Sequence, residues 1–394
     1  MALGKDSVVG VVGAGAMGSG IAQVAAAAGH NVILADADAA AVGRARAGMA
    51  KSLAREVDKG RLPAGGDAAT LGRVRWVEGV NDLAAFAECA IVIEAIVERL
   101  DLKKGLFASL ESVVAADAVL ATNTSSLPVA AIGSACKRSD RVVGVHFFNP
   151  APVMPLVEIV PSLATSGDVT ASARSLVDSW GKVTVLASDT PGFIVNRVAR
   201  PFYGESIRML EEGVADVATI DWAMKTIGGF RMGPFELMDF IGHDVNFVVT
   251  KSVFEGLSFD PRYRPSVTQQ RLLEAGWLGK KSGRGFYDYS PGVTPAAATT
   301  DTTLGQRIVD RTLAMLINEA VDAVLMRVAS ARDIELAMTK GVNYPKGLIA
   351  WGEEIGMAAV LDRLETLHSE YGEDRYRPSA LLRRIVRDGR SLLA

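Results

Sequence analysis

His146 closes an apolar run, Val142-Val143-Gly144-Val145, and Glu158 interrupts another, Val157-Glu158-Ile159-Val160. A histidine at the carboxyl end of a strand is placed to take a proton from a hydroxyl as a hydride leaves the same carbon. A carboxylate on an otherwise apolar strand needs a partner. Paired with His146, Glu158 would fix the imidazole tautomer and stabilise the imidazolium. A site for the hydride acceptor is written near the start of the chain. Gly13-Ala14-Gly15-Ala16-Met17-Gly18 is G-x-G-x-x-G, it follows the apolar run Val8-Val9-Gly10-Val11-Val12, and Asp36 ends the next apolar run. In that setting the motif is a dinucleotide fingerprint. Gly13 permits a tight turn, Gly15 lets the backbone approach a pyrophosphate at the helix N-terminus, and Gly18 allows close helix–strand contact. Ala16 and Met17 complete this phosphate-binding turn. Asp36 would accept hydrogen bonds from the adenosine ribose and repel a 2′-phosphate, which favours NAD over NADP. FAD is the other dinucleotide, but a second FAD element is not recognisable.

These residues need a scaffold. Short apolar runs at 32–35, 91–93, 119–121 and 142–145 alternate with helical segments, including a long one at 39–59, as far as residue 187. The alternation predicts a Rossmann-type α/β domain with a parallel, doubly wound sheet. Asp189-Thr190-Pro191-Gly192 is a turn cluster, and helical periodicity alone follows it. The third segment repeats the second. Glu205 matches Glu319, Ala223-Met224 matches Ala337-Met338, and Ile241-Gly242 matches Ile355-Gly356 at an offset of 114; Arg262-Tyr263-Arg264-Pro265-Ser266 recurs from Arg375 at an offset of 113. This is a duplicated all-α domain. The expected organisation is a nucleotide-binding domain at 1–188, a helical domain at 189–290, a Pro/Ala/Thr-rich linker at 291–303 and a second helical domain at 304–394. The copies differ: Asn196 corresponds to Asp310, and Gly279-Lys280-Lys281-Ser282-Gly283 has no counterpart.

Composition narrows the class. With 394 residues there is length for two to three domains. Lys plus Arg total 42 against 45 Asp plus Glu, a net charge of −3 that argues against a general nucleic-acid binder. Two cysteines, Cys89 and Cys136, cannot build a disulfide framework or a cysteine zinc site, and they suit a cytoplasmic protein. The four histidines, His30, His146, His243 and His368, are widely spaced, so no metal is expected. The apolar N-terminus is broken by glycines and shows no signal-peptide pattern, so neither a membrane span nor secretion is expected.

Several strings together carry a resemblance. They are Glu94-Ala95-Ile96-Val97-Glu98, Asn123-Thr124-Ser125-Ser126-Leu127, Val145-His146-Phe147-Phe148-Asn149-Pro150, Thr190-Pro191-Gly192-Phe193-Ile194-Val195-Asn196-Arg197 and the segment from Gly279 through Gly285-Phe286-Tyr287. Over residues 8–289 the sequence resembles the L-3-hydroxyacyl-CoA dehydrogenases. Its tandem helical domain, with Gly341-Val342-Asn343-Tyr344-Pro345, is similar to a bacterial subgroup acting on 3-hydroxyadipyl-CoA in phenylacetate degradation, although residues 291–303 form a shorter connection than in that subgroup. The resemblance implies NAD-dependent oxidation of L-3-hydroxyacyl-CoA to 3-ketoacyl-CoA, with 3-hydroxyadipyl-CoA or 3-hydroxybutyryl-CoA as substrate. It makes His146 the general base, Glu158 its orienting partner, Ser125 the ligand of the substrate oxygen and Asn196 the group that polarises the acyl carbonyl. It implies NAD contacts for Glu98, Lys103, Asn123 and Asn149, and CoA contacts for Ser52 and Lys59; Lys281, in the glycine-flanked loop that closes the first copy, is a further substrate-ligand candidate. Chemistry would occur where the helical domain closes over the acyl chain. By themselves Ser125 fits a turn and Asn196 a helix start. Lys51, Arg55 and Lys59 share one helix face, which is either a solvated face or a stripe for CoA phosphates. Single-copy relatives dimerise through the helical domain, so the second copy is expected to imitate that contact; a homo-oligomer is compatible with this. The alternatives are a non-catalytic NAD-binding protein of the lens-crystallin kind and a dehydrogenase of hydroxy acids without CoA.

Overall fold

Apolar backbone buried on both faces must satisfy its polar groups by pairing with neighbouring strands, and the apolar runs of the first half do so in one sheet. The computed structural model describes residues 3–79 and 83–394. The strands are β1 (Val9–Val12), β2 (Val32–Asp36), β3 (Val74–Glu78), β4 (Ile91–Glu94), β5 (Val119–Thr122), β6 (Val142–Phe147), β7 (Leu156–Pro161) and β8 (Val183–Leu186), in the order β3-β2-β1-β4-β5-β6-β7-β8. The helices are α1 (Ala16–Ala27), α2 (Ala39–Asp58), α3 (Gly66–Gly72), α4 (Leu100–Glu111), α5 (Val129–Gly133) and α6 (Gly167–Ser179). β1 pairs in parallel with β2 on one side and β4 on the other, so the winding reverses beside β1. Ligands of such sheets bind in the crevice at the carboxyl ends of the strands around that reversal.

The sheet is not wholly parallel. β7 runs antiparallel to β6, and β8 parallel to β7. The turn of residues 148–155 is too short for the crossover that a parallel neighbour requires. The antiparallel register sets His146 opposite Glu158. Periodicity also passed over β3, an edge strand whose residues beyond Val74 are only partly buried.

The chain divides into two compact units, Met1–Thr190 and Pro191–Ala394. Asp189 lies in the first, where its carboxylate accepts from the Val129 and Ala130 N–H groups at 2.8 Å each. The second is helical, with only isolated β-bridges at 279–288 among its described residues. Its first copy comprises α7 (Val195–Val198), α8 (Arg200–Glu211), α9 (Val217–Thr226), α10 (Pro234–Ile241), α11 (His243–Gly256) and α12 (Val267–Glu274). The second comprises α13 (Thr302–Leu325), α14 (Ala331–Gly341), α15 (Leu348–Ile355), α16 (Met357–Tyr371) and α17 (Ala380–Asp388). α9, α10 and α11 begin at the positions the repeat offset assigns to α14, α15 and α16. Equivalent side chains do equivalent work: Asp221 accepts from the Phe235 and Glu236 N–H groups at the start of α10, and Glu335 from Ile349 and Ala350 at the start of α15.

The copies pack against each other through a reciprocal polar exchange. Arg197 of the first donates to Glu319 of the second at 2.7 Å, and Arg311 of the second donates to Glu205 of the first at 3.0 Å. Tyr263 donates to Glu319 and Tyr376 to Glu205. Arg262 and Arg375, also equivalent, complete the two clusters. Each copy presents the same residue types to the other, the geometry of an isologous two-fold interface within one chain.

Candidate active site

At the end of β1, Gly13 takes φ +106°, and an added Cβ there would lie 2.5 Å from the Ala95 carbonyl oxygen. A Cβ at Gly18 would lie 1.8 Å from the carbonyl oxygen of Gly13. At Gly15 it would meet nothing within 4 Å, and Gly15 begins α1 without a side-chain cap. Gly13 and Gly18 are thus demanded by the turn itself, whereas Gly15 leaves space beside the positive end of α1, where Ala16 and Met17 form the first turn. That cradle fits a pyrophosphate. A cavity of about 540 Å³ adjoins it, lined among others by Gly13, Gly15, Asp36, Ile96 and Leu106. Asp36 accepts from the Ala14 N–H at 2.6 Å and the Asp38 N–H at 2.9 Å, one to each oxygen, which leaves a lone pair on each for ribose hydroxyls. The residues present fit NAD.

A contrast follows. Gly18→Ala is expected to weaken NADH binding about 10- to 100-fold and to lower thermal stability, since backbone must move. Gly15→Ala should weaken binding with stability unchanged. A fluorescence titration of NADH and a thermal melt measure the two; equal stability losses would show that Gly15 serves the turn alone.

Beside this turn lies a network that sequence reading missed in part. Glu94 ends β4 fully buried; it accepts from Lys103 at 2.6 Å, Thr122 Oγ1 at 2.7 Å and the Ile96 N–H at 2.7 Å. Lys103 is buried in α4, and its ammonium is divided between Glu94 and Glu98, at 2.6 and 3.1 Å. Glu98 in turn accepts from Thr124 Oγ1 at 2.6 Å and from the Ser125 N–H at 2.9 Å. Burial pushes the Glu98 carboxyl up, but Lys103, Thr124 and the Ser125 amide outweigh it and hold its pKa below the usual value. Lys103 is therefore arranged to anchor Glu98, and Glu98 to fix the loop carrying Ser125. The signal for Glu94 was present: a carboxylate ending the apolar run Ile91-Val92-Ile93 demands partners.

Across the sheet, His146 Nδ1 and Glu158 Oε2 are 2.6 Å apart, with His146 buried and Glu158 wholly so. A carboxylate can only accept, so Nδ1 carries the proton and the basic lone pair falls on Nε2. Asn123 joins the two groups: its Oδ1 accepts from the Phe147 N–H at 2.8 Å. Asn149 is exposed in the turn after β6. Elsewhere in this unit, Ser52 Oγ accepts from Gln23 at 3.2 Å beside a cavity of about 610 Å³, and Lys59 is exposed at the end of α2, 3.9 Å from Glu56. In the second unit, Asn196 lies in α7, and Lys281 pairs with Asp244 at 2.5 Å. Burial pushes the thiols of Cys89 and Cys136 up to about 12 and about 11, which makes them unreactive. Among the described residues no helix is long and apolar enough to cross a membrane.

Residues 8–190 match the 3-hydroxyacyl-CoA dehydrogenase NAD binding domain, and residues 192–289 and 308–392 match the 3-hydroxyacyl-CoA dehydrogenase C-terminal domain. The chain belongs to the 3-hydroxyacyl-CoA dehydrogenase family. It is 41% identical over 460 aligned positions to the 3-hydroxyadipyl-CoA dehydrogenase of Escherichia coli K12, covering 95% of this chain and 96% of that protein. It is 42% identical over 284 residues to the 3-hydroxybutyryl-CoA dehydrogenase of Bradyrhizobium diazoefficiens, covering 71% of this chain and 94% of the relative. A crystal structure described as the 3-hydroxybutyryl-CoA dehydrogenase of Escherichia coli K12 superposes with a TM-score of 0.91 at 40% identity, over 97% of this chain and 98% of the other. The family's C-terminal domain thus occurs twice in this chain, in agreement with the internal repeat.

Proposed function

We propose that this dehydrogenase oxidises L-3-hydroxyacyl-CoA to 3-ketoacyl-CoA with His146 as general base. The observation that carries the reading is the buried His146–Glu158 pair on the same sheet as the glycine turn and Asp36. His146 Nε2 takes the proton of the substrate hydroxyl, and Glu158 stabilises the imidazolium that results. NAD, when bound, supplies the acceptor for the hydride that leaves the same carbon. Gly13, Gly15, Ala16, Met17 and Gly18 hold its pyrophosphate and Asp36 its adenosine ribose. Glu98, Asn123 and Asn149 serve its nicotinamide end, and Lys103 acts there through Glu98. Ser125 donates to the C3 oxygen of the substrate, where charge develops as the proton leaves, and Asn196 donates to the acyl carbonyl and so orients the chain. Ser52, Lys59 and Lys281 bind the CoA portion; Lys59 is a cation suited to its phosphates. The second helical copy, residues 304–394, stands in for a partner subunit, a role supported by the reciprocal Arg197–Glu319 and Arg311–Glu205 exchange. We assign the protein to the cytoplasm on its buried, unpaired cysteines.

NADH formation from the two enantiomers of 3-hydroxybutyryl-CoA tests this. Turnover is expected with the L form and NAD, with a several-fold rise in the acyl-CoA KM for Lys59→Ala. Equal rates with free 3-hydroxybutyrate would overturn the CoA assignment.

A further inference from the structure

The carboxyl edge of the sheet carries more negative charge than its hydrogen bonds need. Glu94 ends β4, in register with Val12 of β1 on one side and Thr122 of β5 on the other. Ala95, Ile96 and Val97, which lead from Glu94 to Glu98, line the cavity that adjoins Gly13, Gly15 and Asp36. Lys103 is shared between the two carboxylates, at 2.6 and 3.1 Å. One ammonium against two carboxylates leaves one negative charge in surplus. Glu158, wholly buried on β7, adds a further carboxylate where β6 presents His146. Among the described residues, the other buried lysine or arginine of this unit is Arg141. It precedes β6 and so sits at the opposite, amino edge of the sheet.

The loop beyond β5 does not require the surplus charge. Glu98 Oε1 accepts from Thr124 Oγ1 at 2.6 Å and from the Ser125 and Ser126 N–H groups at 2.9 and 3.2 Å. The carbonyl oxygen of a glutamine accepts the same bonds. A carboxylate is nevertheless present, and it is kept ionised: burial pushes it up, but Lys103, Thr124 and the Ser125 amide outweigh the burial. The Glu98 side chain is 36% exposed, so its charge is open to a ligand in the crevice.

A dinucleotide lies across such a sheet at the reversal of winding. With the pyrophosphate at the glycine turn after β1 and the adenosine ribose at Asp36 on β2, the nicotinamide half passes to the other side of β1, toward the ends of β4 and β5. The nicotinamide ring is cationic when oxidised and neutral once it has accepted a hydride. The adenosine and pyrophosphate are the same in both states. A fixed negative charge on the nicotinamide side therefore distinguishes the two oxidation states, whereas the glycine turn, the α1 N-terminus and Asp36 do not.

We propose that the Glu94–Lys103–Glu98 cluster selects the oxidation state of the cofactor, its surplus negative charge strengthening the binding of oxidised NAD relative to NADH. This rests on the cofactor placement proposed above and adds to it a preference between the two forms. The selection favours loading of the oxidant and release of the reduced product. Glu94 is a positioning residue in this scheme: it holds Lys103, and its own charge keeps the cluster from being neutral.

Titrations of oxidised NAD, NADH and ADP-ribose against wild type, Glu98→Gln and Glu94→Gln test this. Glu98→Gln removes the surplus charge and keeps the Oε1 acceptor. Its ratio of Kd for oxidised NAD to Kd for NADH is expected to rise about 5- to 10-fold. The rise should come from weaker binding of oxidised NAD, while ADP-ribose, which lacks the ring, binds as to wild type. Glu94→Gln should shift the ratio in the same direction, with a larger fall in melting temperature because Glu94 is wholly buried. Should Glu98→Gln fail to fold, the ratio in Glu94→Gln decides. A purely structural network would instead weaken all three ligands in parallel, and an unmoved ratio would overturn the proposal while leaving the cofactor placement intact. If wild type bound none of the three ligands, the placement would fall and the proposal with it.

Discussion

His146→Gln is expected to lower kcat about 10³-fold while NADH still binds. Glutamine is close to imidazole in reach and can hydrogen-bond, but it cannot accept a proton at neutral pH. The loss therefore isolates proton transfer from substrate positioning. Glu158 lies 2.6 Å from His146 Nδ1, and on the proposed reading it acts through the imidazole. Glu158→Gln should accordingly cost about 10²-fold, because a neutral amide neither stabilises the imidazolium nor enforces the tautomer. The double variant should be no slower than His146→Gln, as expected of residues that act as a unit. Initial rates of NADH formation, with NADH affinity measured separately, decide the matter. Near-wild-type turnover by His146→Gln would remove the general-base assignment, and additive losses would separate Glu158 from His146.

Glu319→Ala is expected to destabilise the helical unit by about 3–5 kcal/mol. Glu319 is buried and is shared by Arg197 at 2.7 Å, Arg262 at 3.5 Å and the Tyr263 hydroxyl. Burial opposes the charge on Arg197, but Glu319, Tyr263 and Asp322 outweigh it and raise its pKa above the ordinary value. Without Glu319, Arg197 is left with Asp322 at 3.4 Å, Arg262 with Asp322 at 3.0 Å and the Arg377 carbonyl at 3.2 Å, and the tyrosine loses its acceptor. Such a loss is a large fraction of the 5–15 kcal/mol typical of a folded domain. Glu205→Ala should cost less, because Arg311 keeps Glu212 at 2.7 Å and Arg375 lies 3.9 Å from Glu205 with Glu373 nearer, so that Tyr376 and one Arg311 contact are what is lost. Denaturant unfolding, read on the transition of the helical unit, measures both. A loss under about 1 kcal/mol in either variant would show that the exchange contributes little to holding the copies together.

Much of this was legible because it is local or repeated. The glycine turn is readable since Gly13 and Gly18 answer steric demands within one strand–turn–helix unit. The duplication is readable because both copies must bury the same helix faces, so Glu205 and Glu319, or Tyr263 and Tyr376, recur at a nearly constant spacing. His146 and Glu158 were readable as a pair only through the cost of burying a carboxylate; their contact came from the antiparallel turn into β7, where a parallel sheet was expected.

Residue types and spacing therefore determined the nucleotide fold, the repeat and the chemistry to look for, since these follow from backbone sterics and periodic burial. Tertiary structure decided which charges meet. It placed Lys103 between Glu94 and Glu98, and crossed Arg197 to Glu319 and Arg311 to Glu205. Those pairings join residues far apart in the chain, and their energies depend on distance and burial, which no local pattern encodes.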